Sequence, residues 1–543
     1  MDTTGTQRSK PASLEKQLGL WDVYALATGA TLSTGFFLIP GLAAAGAGTA
    51  MAVSYVLAAA ILLPGLMAQV ELATAMPRAG GIYYFLDRSL GPLVGTVGGF
   101  GTWTALVLKS AFALIGIGAY MRLFFPNLEM GPIAAVLAIL FGIVNLFGTK
   151  KSGSFQQMLL IALVLMLGWF CGVGVLNMEL SNFGGFLDAG TAGIVSTAGL
   201  VIVSYMGLIK VVGVAEEVKN PGRNLPLGMF LASGTVVAVF VLGAYVMIGV
   251  VGVDVLSEDG GDLAPVATVA ERLAGRAGAV VMTVAAVFAF SSAANAGILS
   301  ASRYPLAMGR DRLLPDRFSE IGRFGTPTVG IAATVGVIVL CVTLIDPTKI
   351  AKLASAFLLM VFALGCLAVI VMRESRIHSY DPEYRSPFYP GLQIAGVLGP
   401  LWLIVRMGLL PTLFTGGLIM FGAMWYTYYA RERLVRAGAI YHVFERLGRE
   451  RYEGRDRDLA DAVLNHAGHA EVGTEIWTEA HVLDLSGPAD FADLARRASE
   501  VLARRLSIPS STLLEGFLEG TRIGGTPMSR GAALPHQLLD EVD

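Results

Sequence analysis

Charge is what this sequence has least of. Asp, Glu, Lys and Arg make up 15% of the 543 residues, where a soluble globular chain carries about 25%. That scarcity excludes an ordinary water-soluble enzyme, and it excludes a disordered chain, which needs charge and few apolar residues. The net charge of −2 provides no basic field to attract a polyanion, so nucleic acid is not an expected partner. Cysteine is scarce as well: Cys171, Cys341 and Cys366 all fall in apolar runs and form no disulfide framework. Histidine is absent from the first 377 residues, and five of the six lie after residue 430. With no Cys/His spacing, Walker loop or supported Ser-His-Asp order, neither a metal nor a cofactor is expected and the chain is not read as an enzyme. The N-terminal MDTTGTQRSKPASLEKQLG is polar and lacks the basic-then-apolar plan of a cleaved signal peptide.

What fills the sequence is apolar. Hydrophobic residues reach 54%, with 66 glycines, and the mean hydropathy is +0.65. A spanning helix needs about 20 mostly apolar residues. Twelve segments meet that need, at 21–46, 50–73, 93–124, 131–148, 154–176, 193–215, 227–251, 279–302, 326–345, 350–372, 391–410 and 411–430. Lys and Arg gather in alternate loops: Arg8, Lys10 and Lys16 before the first span, Arg78 and Arg88 after the second, Lys150 and Lys151 after the fourth. Lys219 and Arg223 follow the sixth, Arg303 to Arg323 the eighth, and Arg373, Arg376 and Arg385 the tenth. By the positive-inside rule this places both termini in the cytoplasm. The domain plan is a cytoplasmic segment at 1–20, a transmembrane domain at 21–430, a charged helical linker at 431–475 and a small α/β cytoplasmic domain at 476–543. That last domain rests on a strand candidate, EIWTEAHVLDL, and an amphipathic helix, ADFADLARRASEVLARRL.

Two spans carry small polar residues where a helix is free to break. Ser33, Thr34 and Gly35 sit midway along the first, followed by Pro40 and Gly41. Ser204, Tyr205 and Gly207 sit within the sixth. Interrupted backbone at membrane depth is tolerated only where it lines a cavity, and a half-helix start offers N–H groups to an anion. Close packing by small residues is the alternative at both places. First and sixth helices stand five apart, which fits a five-plus-five inverted repeat.

Lysine appears at membrane depth without a matching acid. Lys109 lies about sixteen residues, roughly 24 Å, from either end of its span. Its side chain cannot reach either interface, which makes it a functional candidate. Lys210 follows the sixth-span glycine and lies nearer a cytoplasmic end, where it could also extend toward water. Asp22 and Glu71 are close to span ends. The unbalanced positive charge disfavours polyamines and favours an anionic or zwitterionic solute; alternatively a lysine held away from water carries protons. Ser291, Ser292 and Asn295 in the eighth span offer oxygens for Na⁺ or ordinary packing.

Several stretches resemble the amino acid–polyamine–organocation transporter family: MAQVELATAMPRAGGIYYFLDRSLGP, AEEVKNPGRNLP, ANAGILSASRYPLAMGRDRLLPDRFSEIGRFGTPTVG and DPEYRSPFYPGLQIAGVL. They occur in the family's order and span about residues 14–430. The resemblance implies an all-α membrane protein of twelve transmembrane helices with the LeuT-like inverted repeat. It further implies a secondary transporter working by alternating access, with helices 1, 2, 6 and 7 rocking against the rest. Carried over by position, Ser33, Thr34 and Gly35 occupy the family's carboxylate-holding break, and Tyr205, Gly207 and Ile209 the sixth-helix break. Ser33 replaces the family's first glycine, Ile209 stands where many members have an acid, and helix five lacks the lysine of proton-coupled members. The resemblance also assigns Glu71, Glu216, Glu217, Lys219 and Arg223 to cytoplasmic gate and loop contacts.

The tail segment LARRLSIPSSTLLEGFLEGTRIGGTPMSRGAALPH resembles the type-2 EIIA domain of the bacterial sugar phosphotransferase system, in which His536 would be the phosphate acceptor. That domain's usual second half does not follow. The resemblance implies a prokaryotic plasma membrane. The partners expected are a small amino-acid-like or anionic solute, H⁺ or Na⁺, the lipid bilayer, and a second copy of the chain through the cytoplasmic domain. The competing readings are a membrane-anchored solute sensor, an inorganic-anion transporter and a phosphotransfer component.

Overall fold

The computed structural model describes residues 16, 18–77, 81–147, 153–186, 188–377, 380–433, 438–444, 446, 491–506, 509–515, 528–529 and 532–533. They fall into two compact units, Met1–Arg449 and Glu450–Asp543.

The first unit is helical because its segments are apolar nearly all round, and a helix satisfies every backbone group from within. Helix α1 is Leu20–Phe37, α2 Ile39–Ala47, α3 Met51–Ala75, α4 Gly81–Leu90, α5 Pro92–Arg122, α6 Met130–Leu146 and α7 Gly153–Leu176. Then come α8 Gly190–Val201, the 3-10 segment Ile202–Glu217, α9 Pro221–Val251, α10 Val253–Ser257 and α11 Pro265–Arg310. Last are α12 Thr328–Leu344, α13 Pro347–Glu374, α14 Gly391–Arg406 and α15 Leu409–Trp425. Helix occupies every apolar segment expected from the sequence. Among the described residues, seven helical stretches are long and apolar enough to cross a bilayer, and α6, Ile161–Leu176, α12 and α14 are shorter apolar helices.

One expectation is corrected. The first span is not broken at Ser33–Gly35: α1 runs helical through Phe37, and the interruption falls at Leu38 (φ −120°, ψ −40°). Pro40 supplies the reason, since it has no N–H to bond the carbonyl four residues back. The eighth span agrees with the sequence to within a few residues: a separate helix starts at Pro265, the chain kinks at Ala274–Gly275, and the long apolar arm follows.

Helices α5 and α13 run through the middle of the unit, α5 packed on α11, α13, α4 and α6, while α1 lies against α9 and the 3-10 segment. The outer faces of α6, α14 and α15 expose Ile139, Leu140, Leu398, Trp402, Leu413 and Met420, as lipid contact demands. After α15 the chain returns to the unit. Ala439 donates its N–H to the Arg88 carbonyl at 2.9 Å, and Arg446 pairs with Glu374 at 2.9 Å.

In the second unit α16 is Phe491–Leu506, as the sequence led one to expect, and residues 510–515 are helical. Met528–Ser529 and Ala532–Ala533 form a two-residue antiparallel pair. The strand candidate at 475–485 and His536 lie outside the described residues.

Candidate functional site

Residues 202–217 hold sixteen residues of 3-10 helix in one run, where three or four is the usual limit and a longer run marks strain or a hinge. It lies beside α1 and is fastened to it at one end. Leu18 donates to the Glu217 carbonyl at 3.0 Å and accepts from the Lys219 N–H at 2.8 Å. Further in, the two backbones nearly touch. A Cβ built on Gly207 would collide with the Ala30 and Thr31 backbone. One on Gly35 would stand 2.7 Å from Ser204 Cβ and 2.5 Å from the Phe240 ring. Only glycine at these two places allows this approach.

The α1 interruption is capped by tyrosines that sequence reasoning missed. Tyr120 donates its hydroxyl to the Phe37 carbonyl at 2.7 Å, and Tyr55 donates to the Gly35 carbonyl at 3.3 Å. Tyr205, from the 3-10 segment, donates in turn to the Tyr55 carbonyl at 2.9 Å. A helix end leaves four carbonyls without an internal donor, and here phenols supply the donors. The signal was available: an apolar span offers few donors, so a tyrosine inside one is a cap candidate. Phe240 packs on both Tyr55 and Tyr205, with ring centroids 5.3 and 5.4 Å apart.

Most of the expected site residues come together here. Ser33, Thr34, Ser204 and Tyr205 are buried, as are Gly35, Gly207 and Ile209. The Ser33 and Thr34 hydroxyls have no hydrogen-bond partner, nor does that of Thr28. Lys109, 4% exposed, points Nζ at the Ala30 carbonyl of α1, 3.5 Å away. Lys210 is half-buried on the 3-10 segment and stands within electrostatic reach of Lys109. Asn295 does not join this group, for it accepts from Asn145 of α6 at 2.8 Å. Ser291 and Ser292 are half-buried on α11, which packs against α1 and α5. Among the described residues no cluster of His, Cys, Asp and Glu could hold a metal.

A second polar centre sits at the end of α3. Glu71 is fully buried, and it accepts from Arg373 Nε and Nη2 at 2.7 Å each. It also accepts from the Tyr380 hydroxyl at 2.9 Å, the Ser386 N–H at 2.8 Å and Ser386 Oγ at 2.5 Å. Burial, and after it the charge of Glu71, raises the Tyr380 phenol above its ordinary value, so it remains a donor. The sequence expectation grouped Glu71 with Lys219 and Arg223; its cation is Arg373 of α13. The loop 380–390 closes over this centre. Tyr384 donates its N–H to Thr74 Oγ1 at 3.4 Å and meets Phe230 of α9 edge to face, and the Glu383 carboxylate rests on Gly222 in the first turn of α9, where a negative charge is favoured.

These features define a multi-pass membrane protein with an interrupted-helix polar site inside it. The chain belongs to the amino acid permease family, whose model matches residues 18–430. Among curated relatives, the branched-chain amino acid permease BcaP of Bacillus subtilis is 26% identical over 77% of this chain and 94% of its own length. The methylthioribose transporter of the same organism is 26% identical over 74% of this chain and 91% of its own. Its serine/threonine exchanger SteT is 23% identical over 75% and 95%. The family and these relatives are transporters, not enzymes.

Proposed function

We propose that the protein is a secondary transporter of amino acids or similarly small zwitterionic or anionic solutes in a bacterial plasma membrane. The observation that carries this is the meeting of α1 and the 3-10 segment at membrane depth, with the unpartnered Ser33 and Thr34 hydroxyls and the Lys109 ammonium beside it. The relatives' names support the same class of solute.

In this reading the seven long helices, the four shorter ones and α1 make the twelve spans of a LeuT-like five-plus-five repeat, with both termini cytoplasmic. The solute carboxylate is held by hydroxyls and freed backbone of α1, Ser204, Tyr205, Gly207 and Ile209 complete the pocket, and α1, α3, the 3-10 segment and α9 rock against the rest. The Glu71–Arg373 centre with loop 380–390 closes the cytoplasmic side and must open once per cycle. Lys109, Lys210, Ser291 and Ser292 are the coupling candidates toward H⁺ or Na⁺. The tail, a linker at 431–475 and a domain at 476–543, is regulatory and cytoplasmic, with His536 as its phosphate acceptor.

Counterflow uptake of radiolabelled amino acids into liposomes holding the purified full chain tests the reading. Accumulation above protein-free liposomes that collapses in Gly207→Ala supports it, and solute binding without accumulation overturns it in favour of a sensor. Phosphate incorporation from phosphotransferase components, lost in His536→Ala, tests the tail.

A further inference from the structure

In a 3-10 helix, residues three apart stack on one edge. Ser204, Gly207 and Lys210 therefore share an edge, and contacts at both Ser204 and Gly207 show that this edge faces α1. Lys210 stands on it one turn, about 6 Å, beyond the Gly207 contact with Ala30 and Thr31. Lys109 approaches the same turn of α1 from α5, with Nζ 3.5 Å from the Ala30 carbonyl. The two lysines thus approach neighbouring turns of α1, Lys109 at Ala30 and Lys210 about one turn nearer its N-terminal end, within electrostatic reach of each other.

Among the described residues neither has an acidic partner. The acids near the ends of α1, α3 and α11 are committed elsewhere: Asp22 to the Gly19 N–H, Glu71 to Arg373, and Asp262 to Thr268 and the Ala264 N–H. A buried cation without a counter-charge is costly, and a second, half-buried cation close by adds to the cost. The Thr28, Ser33 and Thr34 hydroxyls of the same helix are buried without a partner and are able to donate to an anion. An anion would answer both lysines and can accept from the hydroxyls as well.

We infer that the solute carries two carboxylates: an acidic amino acid, with one carboxylate toward Lys109 and the α1 hydroxyls and the other toward Lys210. This rests on the transport reading and narrows it. A neutral amino acid leaves one lysine unanswered, and a cationic one adds a third positive charge.

The test uses the full chain, purified and in liposomes, with L-glutamate, L-aspartate, L-leucine, L-serine and L-lysine as probes, read by thermal shift and by uptake. The wild type is expected to be stabilised by glutamate or aspartate and to move it, with leucine and lysine failing to compete. Lys210→Met should weaken the acidic probe about tenfold or more, and Lys210→Arg should keep most of its affinity. Lys109→Met should act in the same direction, and Lys210→Met alone decides if that variant fails to fold. Uptake of leucine or serine with no competition by glutamate or aspartate overturns the inference and leaves the transport reading standing. A glutamate- or aspartate-induced thermal shift that depends on Lys210, without uptake, upholds the inference and sinks the transport reading. No response to either acidic probe, or equal affinity in the wild type and Lys210→Met, overturns the inference.

Discussion

Arg373→Ala should be the most damaging single change at the cytoplasmic centre, and its size follows from what it strands. Glu71 has no exposed surface, so water cannot replace the two Arg373 N–H groups that reach it at 2.7 Å. Removing one partner of a buried pair costs about 3–5 kcal/mol. Three neutral donors remain, from Tyr380 and Ser386, and Arg373 is itself 18% exposed. The expected loss therefore falls at the low end, about 3 kcal/mol, or roughly two decades in the unfolding constant. Glu71→Gln should cost about 2 kcal/mol, because it keeps an acceptor but turns an amide N–H₂ against a guanidinium. The double variant Glu71→Leu/Arg373→Met removes both charges and should cost less than the sum of Glu71→Leu and Arg373→Met by about 2 kcal/mol or more. Reversible unfolding in mixed detergent, monitored by circular dichroism, gives the whole cycle. Additive single variants, or singles below about 1 kcal/mol, would refute the argument that this pair is a closed and mutually dependent unit.

Gly207→Ala places a methyl against the Ala30–Thr31 backbone, which cannot swing aside as a side chain can, so uptake should vanish while the protein still reaches the membrane; normal uptake would show that the two backbones separate freely. Tyr120→Phe deprives the Phe37 carbonyl of its donor and should cost about 1 kcal/mol in the same detergent assay. Asp262 is pushed up from its ordinary 3.8 by burial, against the lowering pull of its bonds from Thr268 and Ala264. The folded chain thus holds that proton more tightly than the unfolded one, a contribution complete below pH 3.8 and lost as pH rises through the raised folded value. Asp262→Asn should flatten the pH dependence of stability over that window, and an unchanged slope would place the titration elsewhere. Arg446 meets Glu374, which is 41% exposed, so Arg446→Ala should cost under about 1 kcal/mol; a loss several times larger would mean that the returning segment holds more than this pair.

The helices were legible in the sequence because lipid makes the rule simple: a run of about 20 apolar residues turns helical, and helix fills every expected segment, although the first is two helices and the sixth an α-helix continued as 3-10. What was less legible was position along a helix. Small residues mark where a helix can be interrupted without deciding where it is. Ser33, Thr34 and Gly35 looked like the break, yet the missing N–H of Pro40 puts it at Leu38. Gly207 in the sixth span looked like a break; what the structure shows there is close approach to α1, inside a sixteen-residue 3-10 run. Partners far apart in sequence were the least visible. Arg373 lies 302 residues from Glu71, and nothing in the local pattern prefers it to Lys219. Asn295 shows the converse, since a side chain suited to a cation is taken up by Asn145.

The two polar centres share an element, and that governs how they can work together. Helix α3 carries Tyr55, which caps the Gly35 carbonyl and receives the Tyr205 hydroxyl, and it also carries Glu71. The sixteen residues between them span about 24 Å of one helix, interrupted only by Pro64. A helix translates its ends together, and the pairings at both ends are directional hydrogen bonds with narrow tolerance. In the transport reading, loss of the Arg373 bonds would free the body of α1, α3 and the 3-10 segment to move against α13, with the Tyr55 contacts to Gly35 and Tyr205 carried along inside it. In the same reading, a solute that shifted this body would pull on Glu71 at the far end of α3. Coupling between pocket and closure then needs no pathway beyond one helix with a hydrogen-bonded group near each end.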